Sequence, residues 1–159
     1  PRRRRRTRSP TANRKIVVNN HGAFSSDYIG VNDVYPDADH AARAVGNSVL
    51  VKTSWCGGDP NWGRIMDALG YSPARIVEEK VDLGYSAPGS KDITWSLRRG
   101  LPTRVDFPTL CACVAPVEFD LHIRLNLGQG KAVVYACDLS EAYVGFNMGD
   151  VSNPAALGG

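Results

Sequence analysis

The side chains that could act as general bases or nucleophiles are few and widely separated in this chain. Its three histidines are His21, His40 and His122, and no serine or cysteine stands in a recognisable nucleophile motif such as G-x-S-x-G. A nucleophile needs a base within hydrogen-bond reach, and nothing in the spacing pairs these groups. His122 falls on the polar side of an alternating strand pattern, where we expect it to be solvated. The residues themselves therefore predict no catalytic constellation.

The cysteines also give no signal for a metal centre. They are Cys56, Cys111, Cys113 and Cys137. One residue separates Cys111 from Cys113, whereas common zinc sites leave two to four, and no pair of histidines follows at ligand spacing. Because the sequence shows no secretory signal, the pattern indicates free thiols in a reducing compartment. We therefore expect no bound metal.

Two glycine-containing segments resemble anion sites only superficially. Gly57 and Gly58 precede a predicted helix, whose free N–H groups could bind an anion. Asp59 follows them at the cap position and would repel that anion. The segment 128–131, GQGK, lacks both the third glycine of a dinucleotide fingerprint and a following helix. It predicts a hairpin turn.

The segment DPNWGRI, residues 59–65, predicts the start of a buried helix. Asp59 can cap the helix through its carboxylate, and Pro60 suits the first helical position. The spacing i, i+3, i+4 and i+7 then predicts one buried face, and Gly70 ends the pattern. The residues of this face are Trp62, Ile65, Met66 and Leu69.

Strict alternation of apolar and polar residues marks the stretch 117–127, VEFDLHIRLNL. A period of two predicts a long strand with one buried face and one polar face. After the predicted turn, residues 132–136 would return as the antiparallel partner in a long hairpin. A third apolar run, from Tyr143 to Phe146, is predicted to extend the sheet.

Other parts of the chain give weaker signals. Strand-like runs occur at residues 16–18, 28–31, 75–85 and 93–97. A narrow helical stripe of small residues is formed by Ala38, Ala41, Ala42 and Val45. Three prolines, Pro102, Pro108 and Pro116, predict irregular chain over residues 100–116. Together these patterns predict an α/β domain whose mainly antiparallel sheet has helices packed on one face.

Positive charge is concentrated at the N-terminus. Eight of the 19 basic residues and none of the 16 acidic residues lie within residues 1–15. The remaining chain therefore carries a net charge of about −5 and offers no broad basic face to a nucleic acid. We expect the tail to be disordered, and any polyanion affinity to reside there. Its Arg-rich, acid-free composition overlaps that of a mitochondrial transit peptide, and no apolar run approaches the roughly 20 residues needed to span a bilayer.

Two segments together carry a family resemblance: residues 59–65, and residues 137–147, CDLSEAYVGFN. They are similar to the C-terminal part of the β chain of ornithine acetyltransferases, the self-cleaving glutamate N-acetyltransferases of arginine biosynthesis. The resemblance covers residues 47–70 and 117–147 most strongly. It implies that residues 16–152 form the C-terminal part of a β-chain domain within an α/β layered fold. Residues 1–15 would be a disordered tail, and residues 153–159 a flexible C-terminus.

The resemblance also implies a reaction. Members of the family move an acetyl group from N-acetylornithine to glutamate through an acyl-threonine, and some use acetyl-CoA as an alternative donor. The threonine is freed by self-cleavage of a precursor, and donors from the α chain stabilise the oxyanion. Neither the threonine-bearing segment nor its glycine-rich surroundings occurs here. The nucleophile is therefore expected outside this chain, and no catalytic residue is expected within it.

Further expectations about partners and location follow from the resemblance. We expect a hetero-oligomer with a missing α chain and with the N-terminal part of the β chain. A chain that starts with proline also suggests an excerpt of a longer gene product. No cofactor is expected. The expected location is the cytoplasm, with the mitochondrial matrix as the alternative.

Three substrate-binding positions carry over from the family. Asn147 matches an asparagine that follows the last strand of family members, and Ser152 matches a threonine five residues later. Both family residues contact the amino-acid substrate. The third position, a glutamate followed by Gly-Ala, corresponds to His21 before Gly22 and Ala23. Since an imidazole pairs less well than a carboxylate with a substrate ammonium group, the alternative is an inactive remnant or interaction module with a polyanion-binding tail.

Overall fold

The computed structural model of the chain describes residues 13–19 and 34–147. In that part the chain forms a six-stranded sheet and five α-helices. The helices are α1 Val34–Asn47, α2 Val49–Gly57, α3 Trp62–Gly70, α4 Phe107–Val114 and α5 Glu141–Asn147. The strands are β1 Asn13–Asn19, β2 Asp82–Ser86, β3 Thr94–Arg98, β4 Leu101–Pro102, β5 Asp120–Arg124 and β6 Lys131–Cys137.

The sheet has the strand order β4-β3-β2-β5-β1-β6. Every neighbouring pair is antiparallel except β1 and β5, which are parallel. This confirms the predicted α/β class with a mainly antiparallel sheet. β1 begins at Asn13, so the last three residues of the expected tail, 13–15, belong to the strand.

The core lies between the sheet and the helices. The predicted small-residue stripe of α1 is fully buried, because alanine side chains let this helix approach β1 and β6 closely. The aromatic centre of the core consists of Trp55, Tyr85 and Phe119. Phe119 makes edge-to-face contacts with both partners, at ring-centroid distances of 5.9 Å to Trp55 and 5.8 Å to Tyr85.

The predicted long hairpin is wrong. β5 is only five residues long, and β6 pairs with β1, which lies between β5 and β6. Both faces of β5 are buried: Leu121 and Ile123 on one side, and Asp120 and His122 on the other. Alternation within one strand shows that its two faces differ, but it cannot show that a polar face is also covered.

Two predictions of irregular or extended chain are also wrong, since these segments form helices. α4 includes Pro108, which lies in the first helical turn, where a missing N–H costs no hydrogen bond. The second segment, Tyr143 to Phe146, lies within α5. α2, for which there was no prediction, begins after Ser48, whose hydroxyl accepts a hydrogen bond from the Val51 N–H at 3.3 Å. Residues 75–81 contain a 3₁₀ turn, Glu78–Lys80, and the run 28–31 lies outside the described residues.

Candidate substrate-binding region

Gly58 and the segment from Asp59 to Ile65 that follows it connect α2 to α3 and cap both helices. Gly58 ends α2 in the left-handed conformation, at a φ of 69°, and the Asp59 N–H donates to the Ser54 carbonyl at 2.9 Å. The N-cap of α3 is Asn61, whose Oδ1 accepts from the Arg64 N–H at 3.1 Å. The predicted cap residue, Asp59, instead accepts a hydrogen bond from Asn61 Nδ2 at 3.0 Å. Its carboxylate thus orients the cap, and it does not cap the helix itself.

The buried face predicted for α3 is confirmed for Ile65 and Leu69, but Trp62 is exposed at 36% of its surface. Trp62 is the first helical residue, and helical side chains lean towards the N-terminus. Its ring therefore extends past the end of the helix. The buried tryptophan is Trp55 of α2, whose helix was not predicted.

Arg64 fastens α3 to the preceding helix. Its Nη1 donates to the Leu50 carbonyl at 2.9 Å and to Thr53 Oγ1 at 3.3 Å. The polar residues of this segment are thus engaged with neighbouring backbone and side chains. In the described part of the chain, the segment therefore has a structural role, because its hydrogen bonds connect α2 and α3.

Ser86, Asp120 and His122 lie together on the polar face of the central strands. The register places Ser86 opposite Asp120, and all three residues are buried. Ser86 Oγ lies 2.8 Å from His122 Nε2, and Asp120 Oδ2 accepts from the Gly89 N–H at 2.9 Å. The expectation that His122 is solvated is therefore wrong, since its side chain is buried.

The Ser86 hydroxyl has more than one neighbour. Besides His122 Nε2, the Ala87 carbonyl oxygen lies 3.0 Å from Ser86 Oγ, within hydrogen-bond distance. Whether the imidazole donates to Ser86 or accepts from it is set by its tautomer. In either case the contact joins β2 to β5.

A second polar group, centred on Asp82, lies at the start of β2, at the opposite end of the strand from Ser86. The buried Asp82 carboxylate accepts from the Arg99 N–H at 2.8 Å and lies 3.4 Å from Arg98 Nε. Two guanidinium groups contact the Trp95 ring, and their Cζ atoms lie 4.8 Å (Arg98) and 4.6 Å (Arg124) from the ring centroid. These cation–π contacts engage both arginines with the Trp95 ring.

All four cysteines are free thiols. Burial and the nearby Asp59 carboxylate raise the pKa of Cys111, which disfavours the nucleophilic thiolate. Across residues 13–19 and 34–147, no three metal-ligating side chains come together. No helix in these ranges is long and apolar enough to cross a membrane.

Only one of the three predicted substrate-binding residues lies in the described part of the chain. Asn147 is the last residue of α5, whereas His21 and Ser152 lie outside the described residues. β1 ends at Asn19, beside Lys131, and β6 ends at Cys137, beside Asn13. These two strand ends are separated by roughly 20 Å, the length of a seven-residue strand. A shared substrate site formed by His21, Asn147 and Ser152 stays a prediction.

Residues 13–149 match the model described as the ArgJ family. A relative from Dehalococcoides mccartyi, named arginine biosynthesis bifunctional protein ArgJ, is 42% identical over 111 residues. A relative from Methanocaldococcus jannaschii, named glutamate N-acetyltransferase, is 38% identical over 115 residues. Each alignment covers 70% of this chain, but only 26% and 28% of the respective relative.

A solved structure agrees with these sequence matches. It is the arginine biosynthesis bifunctional protein ArgJ from Bacillus halodurans, which is 27% identical to this chain with a TM-score of 0.72. The alignment covers 89% of this chain and 59% of the solved chain. The chain thus spans little more than a quarter of these two relatives and three fifths of the solved chain.

Proposed function

The chain belongs to the ArgJ family, and on that premise we propose that it forms part of an acetyltransferase that moves an acetyl group from N-acetylornithine to glutamate. The observation that carries the proposal is the family match over residues 13–149, joined to relatives named for this activity and for arginine biosynthesis. The threonine nucleophile and the oxyanion donors would come from segments outside these 159 residues. The partner is therefore the portion of the enzyme that corresponds to the unmatched length of the relatives. The proposed location is the cytoplasm.

Within this part, Asn147 and Ser152 would contact the amino-acid substrate. An asparagine side chain offers both a carbonyl acceptor and two N–H donors, so it can bind an ammonium group or a carboxylate. Ser152 keeps the hydroxyl of the threonine found in family members. The support for Asn147 is the match of its sequence context, residues 137–147, to the family, although it ends a helix here and does not follow a strand.

His21 is the least favourable of the three positions. A carboxylate there would neutralise a substrate ammonium group, whereas a neutral imidazole offers one lone pair and an imidazolium repels it. This substitution favours a second candidate function, a catalytically inactive remnant that keeps the fold. The two candidates differ in whether acetyl transfer can be measured.

The test is a hybrid enzyme in which this chain replaces the matched portion of the Dehalococcoides mccartyi relative. Acetyl transfer from N-acetylornithine to isotope-labelled glutamate is measured by mass spectrometry. We expect a folded hybrid to be active, with Asn147→Ala lowering kcat/KM by roughly tenfold to a hundredfold, the loss of one or two polar contacts. His21→Glu should raise activity.

Gln129→Ala is the matched control, because Gln129 is an exposed amide in the turn before β6. It should leave kcat/KM unchanged. A folded hybrid without transfer, even with glutamate at position 21, would contradict the proposed function. An active hybrid that tolerates Asn147→Ala would remove that residue from the site.

A further inference from the structure

The two edges of the sheet differ in how well they are protected. β4, at one edge, is two residues long and ends with Pro102. Short edge strands and prolines are devices that prevent further strand pairing. β6, at the other edge, is seven residues long, contains no proline, and carries a single charge at Lys131, its first residue. Among the described residues β6 pairs only with β1.

The side chains of β6 also suit a further strand. Val133 and Tyr135 are exposed at 41% and 71% of their surface. Valine and tyrosine are favoured in strands, and aromatic and β-branched residues make stabilising cross-strand pairs. Lys131 stands at the end of the strand, so a neighbouring strand would meet an apolar centre.

A groove runs beside this edge. It is a cavity of about 270 Å³ lined by Gly46, Asn47, Lys52 and residues 134–137. This volume is below the range of about 300 to 1,000 Å³ typical of small-molecule pockets, but one or two side chains can fill it. α5 follows β6 after three residues and presents Tyr143 and Val144 half-exposed.

We propose that β6 is a docking edge that receives an extended segment from the rest of an ArgJ-family protein. Such β-augmentation gains main-chain hydrogen bonds along the edge and inserts alternate side chains into a neighbouring groove. The docked segment would correspond to a part of the relatives that this chain does not match. That part is large, because the alignments cover only 26% to 28% of the relatives' length. The inference rests on the family membership that underlies the proposed function, but it does not require acetyl transfer.

Amide hydrogen exchange tests this docking edge directly. Exchange of the β6 amides is measured by mass spectrometry for the 159-residue chain alone and for the hybrid enzyme described above. The outward-facing amides of β6 should exchange rapidly in the chain alone, and at least about tenfold more slowly in the hybrid. The interior strand β5 should be equally protected in both, which controls for folding. The readout is independent of activity, so it stands even if acetyl transfer fails.

A pair of surface variants tests the role of the apolar centre. Tyr135→Lys in the hybrid should remove most of the added protection of β6. Tyr71→Lys makes the same change at a tyrosine that is 86% exposed and follows the end of α3, and it should have no effect. Equal effects of the two variants would contradict the role of Tyr135.

Two outcomes would overturn the proposal. Rapid exchange of β6 in the hybrid would mean that no segment docks there. Protection of β6 already present in the chain alone would assign the edge to a second copy if it rises with protein concentration. If that protection is independent of concentration, it would assign the edge to another part of the same chain.

Discussion

Replacing Trp55 by alanine should cost far more stability than replacing Trp62, although the sequence pattern pointed to Trp62 as the buried residue. Trp55 is fully buried, and its ring meets Phe119 edge-on at 5.9 Å. A buried tryptophan removes roughly 150 to 250 Å² from water, which corresponds to about 4 to 6 kcal/mol at 25 cal/mol per Å². Measured losses for such truncations are about 3 to 5 kcal/mol, and this is the range that we expect for Trp55→Ala.

Trp62→Ala should cost about 1 to 2 kcal/mol, because solvent fills the space left at an exposed position and no closed cavity forms. Trp62 is the first residue of α3 and is not part of its buried face. Ile65 and Leu69 therefore stay buried in the variant. Alanine also has a higher helix propensity than tryptophan, which offsets part of the lost contact.

Urea unfolding followed by far-UV circular dichroism gives the comparison, since each substitution removes one of the three tryptophans and would alter the fluorescence signal itself. An unchanged dependence of free energy on urea concentration would show that only stability has changed. If Trp55→Ala does not fold, Trp55→Phe should fold with a smaller loss, as it keeps an aromatic ring beside Phe119. A loss for Trp62→Ala as large as that for Trp55→Ala would refute the placement of the two rings.

Three further predictions concern other parts of the chain. Gly84→Ala should cost about 1 to 3 kcal/mol in the same assay, because its Cβ would lie 2.6 Å from Ile93 Cγ2 and 2.9 Å from the Trp95 ring; Gly57→Ala, which meets no atom within 4 Å, is the control. Burial, followed by the charges of Asp59 and Cys113, raises the pKa of Tyr85 above its ordinary value of 10.0. The folded state thus favours the neutral phenol, so the contribution of Tyr85 to stability should be fully present below pH 10 and be lost as the pH rises further, and stability above pH 10 should fall less in Tyr85→Phe. Removal of residues 1–12 should leave β1 and the fold intact while abolishing salt-sensitive retention on heparin, and strong retention of the shortened chain would reveal another basic surface.

The parts of the fold that the sequence predicted are those set by local periodicity. The stripe of α1 and the inner face of α3 at Ile65 and Leu69 follow from spacing within a single helix. The position of β1 between β5 and β6 depends on pairing between distant segments, and no local pattern contains that information. The apolar run that became α5 was also too short to separate strand from helix by periodicity.

The candidate site was harder to predict from the sequence than the fold. Asn147 came from a family resemblance, and its local sequence carries no chemical signature. The Ser86–His122 contact was missed because it exists only through the register of β2 against β5. The one signal in the sequence is the alternating polar face that carries Asp120 and His122, and such a face by itself indicates exposure to solvent.

The interior position of β1 has a consequence for how the protein is made. β1 is synthesised before all other described elements, yet Ile16 pairs with Leu121 on one side and with Val134 on the other. At about 5 to 20 residues per second, the ribosome needs roughly 5 to 20 s to make the intervening hundred or so residues. During that interval β1 lacks both of its partners, and contacts so distant in sequence also slow folding. The sheet is therefore completed late, and a nascent chain that stops before β6 exposes one side of β1 to chaperones and to aggregation.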